Sequence, residues 1–91
     1  MNQRQFRIDL HAVHDLPAFA AAFNNGLIHG VGGHWTGQSW DAFHDYLSWP
    51  TEETYELVLD GWWQCSGLSE RETQILEAIF ASNPHVFVTK K

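Results

Sequence analysis

Hydrophobic and polar residues alternate at the start of the chain. Residues 6–10 read Phe-Arg-Ile-Asp-Leu, and this period of two is typical of a half-buried β-strand. Asp15 is a favourable helix N-cap, and Pro17 stands in the first turn, where its missing N–H does no harm. Apolar residues at helical spacing across 16–23 predict a helix, which the Asn-Asn-Gly at 24–26 is expected to stop.

A glycine-rich segment and a second helical pattern follow. Residues 24–38 contain five of the seven glycines and predict an irregular loop. Ser39 is a capping residue for a helix whose apolar residues, Trp40, Phe43 and Leu47, share one face. Pro50 is expected to end this helix.

The last third of the chain predicts a strand, a helix and a strand. Residues 55–60 form a short apolar run typical of a buried strand, and residues 61–68 indicate a short helical turn or loop. Ser69, with a glutamate three residues later, makes a capping box for a third helix, which Asn-Pro at 83–84 closes. Residues 86–88 predict a last strand.

Strands separated by helices indicate an α/β fold with a parallel sheet. We expect a three-stranded parallel sheet packed with three to four helices, in a single domain over residues 1–91. The apolar fraction of 44% and thirteen aromatic residues suffice for one core without disulfides or a structural metal.

Cysteine content and the N-terminus predict a cytoplasmic location. Cys65 is the single cysteine, which excludes a disulfide framework and a CxxC site and fits a reducing compartment. Charged residues interrupt the first ten positions, whereas a signal peptide needs an uninterrupted apolar stretch. No window approaches the length of a membrane span.

The distribution of charge along the chain is more informative about possible partners than the net charge of -6. The five basic residues all lie outside residues 8–70, at Arg4, Arg7, Arg71, Lys90 and Lys91. Residues 8–70 contain no Lys or Arg but nine carboxylates. Such a surface repels nucleic acid and anionic membranes and attracts a basic protein, so we expect neither of the first two as a partner.

Several classes of chemistry are disfavoured. The glycine segment matches neither GxGxxG nor GxxxxGK[ST] and has no nearby Lys or Arg for a phosphate. The six histidines form no HExxH or Cys/His cluster, although His34 and His44 could come near Asp45 as a weak metal site. We expect no metal, no cofactor and no catalytic residue.

Asp41 and Asp45 are the charged pair that needs an explanation. Their i, i+4 spacing places both carboxylates on one helix face, away from the apolar face, with no basic residue nearby on the helix to offset their repulsion. Asp41 lies in the first turn, where the helix dipole favours an anion, but Asp45 lies a turn further on. A carboxylate enzyme using both is disfavoured, because neighbours on one exposed helix converge poorly on a bond between them.

Aromatic residues around the two aspartates favour a binding surface. Trp35 in the loop, His44 on the flank of the helix and Trp49 at its end are expected to lie exposed around the pair, as anchors do at interface hot spots. For each tryptophan taken singly, packing in the core remains the default interpretation.

The segment HWTGQSWDAFHDYLSWP, residues 34–50, resembles the signature of the barstar family of intracellular inhibitors of an extracellular bacterial ribonuclease. In that family an aromatic-rich loop leads through Gly into a helix reading Asn-Leu-Asp-Ala-Leu-Trp-Asp-x-Leu. Gly37 matches the glycine, and residues 39–47 match the helix. The order of elements is similar over nearly the whole chain, whereas the specific match covers about a dozen residues.

The resemblance implies that the helix and the preceding loop block the active site of a basic ribonuclease. Asp41 and Asp45 match the family's two aspartates, which stand where substrate phosphates would bind, and Trp35 aligns with an interface tyrosine. His44 and Ala78 depart from the family's interface Trp and Glu. The expected partner-binding residues are Trp35, Gly37, Ser39, Trp40, Asp41, His44, Asp45 and Trp49.

These observations predict a cytoplasmic antitoxin or immunity-type inhibitor, a monomer when free, that binds a secreted or toxin ribonuclease one to one. The alternative is an acidic interaction module for a different basic partner, such as a non-ribonuclease toxin or a regulatory protein.

Overall fold

The computed structural model describes residues 4–48 and 54–91, which form a three-stranded sheet and three α-helices. In chain order the elements are β1 (Arg4–Asp9), α1 (Leu16–Phe23), α2 (Trp40–Ser48), β2 (Tyr55–Asp60), α3 (Glu70–Ala81) and β3 (Val86–Lys90). The predicted α/β class and three-stranded sheet are therefore confirmed. Within these ranges the number of α-helices is three, the lower of the two numbers expected.

All strand pairs are parallel, and β2 lies between β1 and β3. Phe6, Leu57 and Val88 are register partners on one face of the sheet, which packs against the core. β2 has the predicted bounds, and three of its apolar residues, Leu57 to Leu59, are buried. β1 starts two residues earlier than predicted and ends one residue earlier, while β3 continues to Lys90.

Helix α1 begins as its sequence predicts, because the Asp15 carboxylate accepts a hydrogen bond from the Ala18 N–H at 2.8 Å. The α-helix ends at Phe23, as Asn-Asn-Gly at 24–26 predicts, but the chain does not leave helical backbone there. The backbone continues as a π-helical turn over Asn24–Ile28 and a 3₁₀ turn over His29–Val31. Burial of apolar side chains in this extension outweighs the local tendency of Asn-Asn-Gly to end a helix.

Gly26 permits the close contact between this extension and β1. A Cβ at this position would lie 2.5 Å from the Ile8 Cδ1 and 2.7 Å from the Arg7 carbonyl oxygen. The chain leaves the helical conformation at Gly32, which has a φ of 83°. The predicted irregular loop is thus confined to the second half of residues 24–38.

Helix α3 has the predicted capping box. The Ser69 N–H donates to the Glu72 carboxylate at 2.8 Å, and the Glu72 N–H donates to the Ser69 hydroxyl at 3.1 Å. Pro50, predicted to end α2, lies outside the described residues. Within the described ranges, no helix is long and apolar enough to cross a bilayer.

Candidate protein-binding site

Helix α2 has one face in the core and another in solvent. Phe43 and Leu47 are fully buried, whereas Asp41 and Asp45 are exposed and His44 is half-buried between these two environments. The i, i+4 spacing thus places the two carboxylates on the solvent side of the helix, as predicted. A partner approaching α2 meets both of them.

Neither aspartate side chain is neutralised by the described part of the protein. The contacts between basic and acidic side chains found there join Arg7 to Asp60, Lys90 to Glu77, and the His11 ring to Asp9 and Asp60. None includes Asp41 or Asp45. The two negative charges therefore remain available to a partner from outside the chain.

The helix N-terminus explains one aspartate better than the other. Ser39 precedes α2, and its hydroxyl accepts a hydrogen bond from the Ala42 N–H at 3.3 Å. Asp41 stands in the first turn, where the helix dipole stabilises a carboxylate. Asp45 lies one turn further along, beyond the range of this effect. Local helix stability therefore gives no reason for a carboxylate at Asp45.

Trp35 is not an exposed anchor, which corrects the expectation from its loop position. Its side chain is 1% exposed, and its ring centroid lies 4.8 Å from that of Phe43 and 5.1 Å from that of Trp40. The indole N–H donates to the Ser39 carbonyl at 2.7 Å. Burial of the large apolar ring with its one donor satisfied favours the core position. Trp35 supports the start of α2 from beneath.

The loop before α2 is anchored to α1 by a residue that sequence analysis missed. Asn24 is buried, and its side-chain amide binds both backbone polar groups of Trp35. Gly37 has a φ of 86°, and a Cβ there would contact Ala20 at 3.4 Å. In the sequence Asn24 suggested the end of a helix. No local signal therefore indicated that its side chain would bind Trp35, eleven positions later.

The glycine-rich segment also packs on α2. A Cβ at Gly33 would clash with the Tyr46 ring, and the Tyr46 hydroxyl donates to the His34 carbonyl at 3.0 Å. Gly33 therefore permits a close approach within the protein. Together these contacts fix the loop against the helix that carries the two aspartates.

A shallow, mainly apolar groove lies between α2 and α3. Asp41 and His44 line it from α2, while Ile75, Ala78 and Ile79 line it from α3. It places an apolar surface beside Asp41. A partner group bound in this groove would contact both the apolar surface and Asp41.

The carboxylate next to the groove on α3 faces another way. Glu77 pairs with Lys90 of β3 at 2.5 Å, and Ala78 supplies no charge. Of the remaining expected site residues, Trp40 is half-buried, Ser39 is exposed and Trp49 lies outside the described residues.

Comparison with known proteins identifies the family of the chain. Residues 3–85 match the family model described as Barstar (barnase inhibitor). The chain belongs to the barstar family. The match covers β1, β2, all three helices and the loop before α2, and it ends just before β3, so it extends well beyond the short signature at residues 34–50. No curated protein and no solved structure shows significant similarity to the chain.

Two basic residues of this barstar-family chain are engaged with its own carboxylates. Arg7 binds Asp60 across β1 and β2, and this contact holds the pKa of the Asp60 carboxyl below its usual value. Lys90 pairs with Glu77. Internal pairing thus uses acidic residues other than the two aspartates on α2.

Proposed function

We propose that the protein inhibits a basic barnase-like ribonuclease by binding it one to one and covering its active site with α2 and the preceding loop. The observation that carries the proposal is the exposure of Asp41 and Asp45, side by side on α2, without an ion pair to any described residue. Membership of a family of barnase inhibitors supports the same partner class.

In this mechanism the two carboxylates take the places of substrate phosphates. Arg, Lys and His side chains that bind RNA in the enzyme would pair with Asp41 and Asp45 instead. Trp40, His44 and Ser39 border the carboxylates and would contact the rim of the active site. Trp35 and Gly37 act from beneath, because both are buried and hold the loop in place.

The charge distribution favours rapid capture of such an enzyme. Residues 8–70 include α2 and lack Lys and Arg, and the net charge is -6. Opposite fields on two proteins raise the rate at which they meet, and this contribution weakens as salt increases. We therefore propose an inhibitor whose association is driven by electrostatic attraction and which has no catalysis of its own. It would form one domain over residues 1–91 and act in the cytoplasm.

A second candidate is an acidic interaction module for a different basic partner. His44 and Ala78 favour it, since they stand in the groove beside Asp41, where the family resemblance places a Trp and a Glu. A changed groove can select a changed partner.

The inhibitor proposal is tested by mixing the protein with a purified barnase-like ribonuclease. We expect loss of ribonuclease activity at an equimolar, micromolar ratio. Asp45→Ala should weaken binding by about 2 kcal/mol or more, which is roughly thirtyfold. This is the range for truncating one partner of a buried charge pair, and measurements on barnase and barstar helped to define it.

Glu70→Gln is the matched control, because it also removes one exposed carboxylate but from the first turn of α3. It should change affinity much less than Asp45→Ala. Full ribonuclease activity at an equimolar ratio would exclude this partner class. A loss below about 0.5 kcal/mol for Asp45→Ala would instead exclude the role assigned to that residue.

A further inference from the structure

Two exposed histidines meet in the segment between α1 and α2. The Nε2 atom of His29 lies 3.1 Å from the Nδ1 atom of His34, and the two rings are within 15° of parallel. No metal site was expected from the sequence, because the six histidines form no HExxH motif and no Cys/His cluster. The turn between the two residues brings their nitrogens together.

The backbone around the pair is well fixed. The Gly32 N–H donates to the His29 carbonyl at 3.1 Å, and the Gly33 N–H donates to the Ile28 carbonyl at 2.9 Å. On the other side, the His34 carbonyl accepts from the Tyr46 hydroxyl of α2. The two rings thus project from a closed turn, which lowers the entropy that a ligand must remove to use both.

We propose that His29 and His34 chelate a borderline divalent transition metal such as Cu²⁺, Ni²⁺ or Zn²⁺. Metal–imidazole bonds of 2.0–2.1 Å put two nitrogens about 2.9 Å apart at a right angle and about 3.3 Å apart at a tetrahedral angle. The observed 3.1 Å lies between these values. The distance between the two nitrogens therefore needs little change, and a rotation of the two rings would direct both lone pairs at one ion.

The protonation chemistry is compatible with this use. In the neutral pair one nitrogen donates its hydrogen to the other. When a metal binds, that proton moves to the other nitrogen of the same ring, so both facing nitrogens present a lone pair. No ionisation of either neutral imidazole is required.

The class of ion follows from the ligands. Among the described residues, no group of three or more His, Cys, Asp and Glu side chains is placed to hold a metal, so the protein contributes two imidazole nitrogens and water fills the other positions. Imidazole suits Cu²⁺, Ni²⁺ and Zn²⁺, whereas Mg²⁺ and Ca²⁺ prefer oxygen ligands. Affinity should follow the Irving–Williams order of divalent first-row metals, with Cu²⁺ bound more tightly than Ni²⁺ or Zn²⁺.

The experiment measures binding of Ni²⁺ and Cu²⁺ alone by calorimetry, in a buffer that does not bind metals. The wild-type protein should bind one ion, and His29→Gln and His34→Gln should each lower the affinity at least tenfold. His14→Gln is the control, because His14 is also exposed and its Nδ1 contacts the Ser66 hydroxyl at 3.2 Å instead of another histidine. It should bind as wild type does.

Electron paramagnetic resonance of the Cu²⁺ complex gives an independent measurement. Coupling to two nitrogens in the wild type and to fewer in either variant supports the chelate. Equal affinity in wild type and both variants, or an equal loss in His14→Gln, overturns it and leaves the pair as a hydrogen bond only. The assay uses no ribonuclease, so its outcome is separate from that of the inhibitor proposal.

Discussion

Asn24 forms two hydrogen bonds with the backbone of Trp35. Its Nδ2 donates to the Trp35 carbonyl at 2.8 Å, and its Oδ1 accepts from the Trp35 N–H at 2.7 Å. Both residues are buried, so neither backbone group has ready access to water. This pair of bonds joins the end of α1 to the loop that enters α2, and it thereby helps to position Asp41 and Asp45.

Asn24→Ala should lower the free energy of unfolding by about 2 kcal/mol or more. The substitution leaves a buried donor and a buried acceptor without a partner, and each such group costs about 1–3 kcal/mol. Asn25→Ala is the matched control, because the neighbouring Asn25 is exposed and its loss should change stability by about 0.5 kcal/mol or less. Urea unfolding measures both, and equal effects would contradict the role of Asn24.

The two aspartates of α2 should differ in their effect on folding. Asn substitution at either position removes their mutual repulsion, but only Asp41→Asn removes a favourable interaction with the helix dipole. We expect Asp41→Asn to be less stable than Asp45→Asn by about 0.3–1 kcal/mol. Thermal or urea unfolding of the two variants at low salt gives the difference. If Asp45→Asn proves the less stable variant, Asp45 has a structural role that its contacts do not explain.

The Arg7–Asp60 pair should make stability depend on acid pH. The hydrogen bond and charge of Arg7 lower the folded-state pKa of Asp60. A lowered folded-state pKa stabilises the folded protein. This stabilisation is complete above the unfolded-state pKa of about 3.9 and is lost as pH falls through the folded-state pKa. The free energy of unfolding should therefore decrease below about pH 4.

Arg7→Gln tests this dependence. The variant should be less stable than wild type near neutral pH. The difference should shrink as pH falls below about 4 and through the lowered folded-state pKa of Asp60, below which Asp60 is protonated in both proteins. Arg71→Gln is the control, since Arg71 is exposed and forms no ion pair with a described residue. Its difference from wild type should stay constant with pH. A difference for Arg7→Gln that does not change between neutral and acid pH would contradict the pairing.

The local elements of the fold could be read from the sequence. The bounds of β2, the Asp15 N-cap and the capping box of Ser69 and Glu72 all depend on residues within a few positions of one another. The i, i+4 spacing likewise placed Asp41 and Asp45 on one face, because helix geometry fixes that relationship once the helix forms. Short-range rules were sufficient in each case.

Contacts between distant residues required the tertiary structure. Trp35 lies in a glycine-rich loop that suggested exposure, yet packing against Phe43 and the hydrogen bonds from Asn24 bury it. The continuation of helical backbone beyond residue 24 and the approach of His29 to His34 have the same origin. The sequence by itself determined the elements and the acidic face. Tertiary packing decided which loop residues are buried and which are exposed, because buried area and satisfied polar groups outweigh local preference.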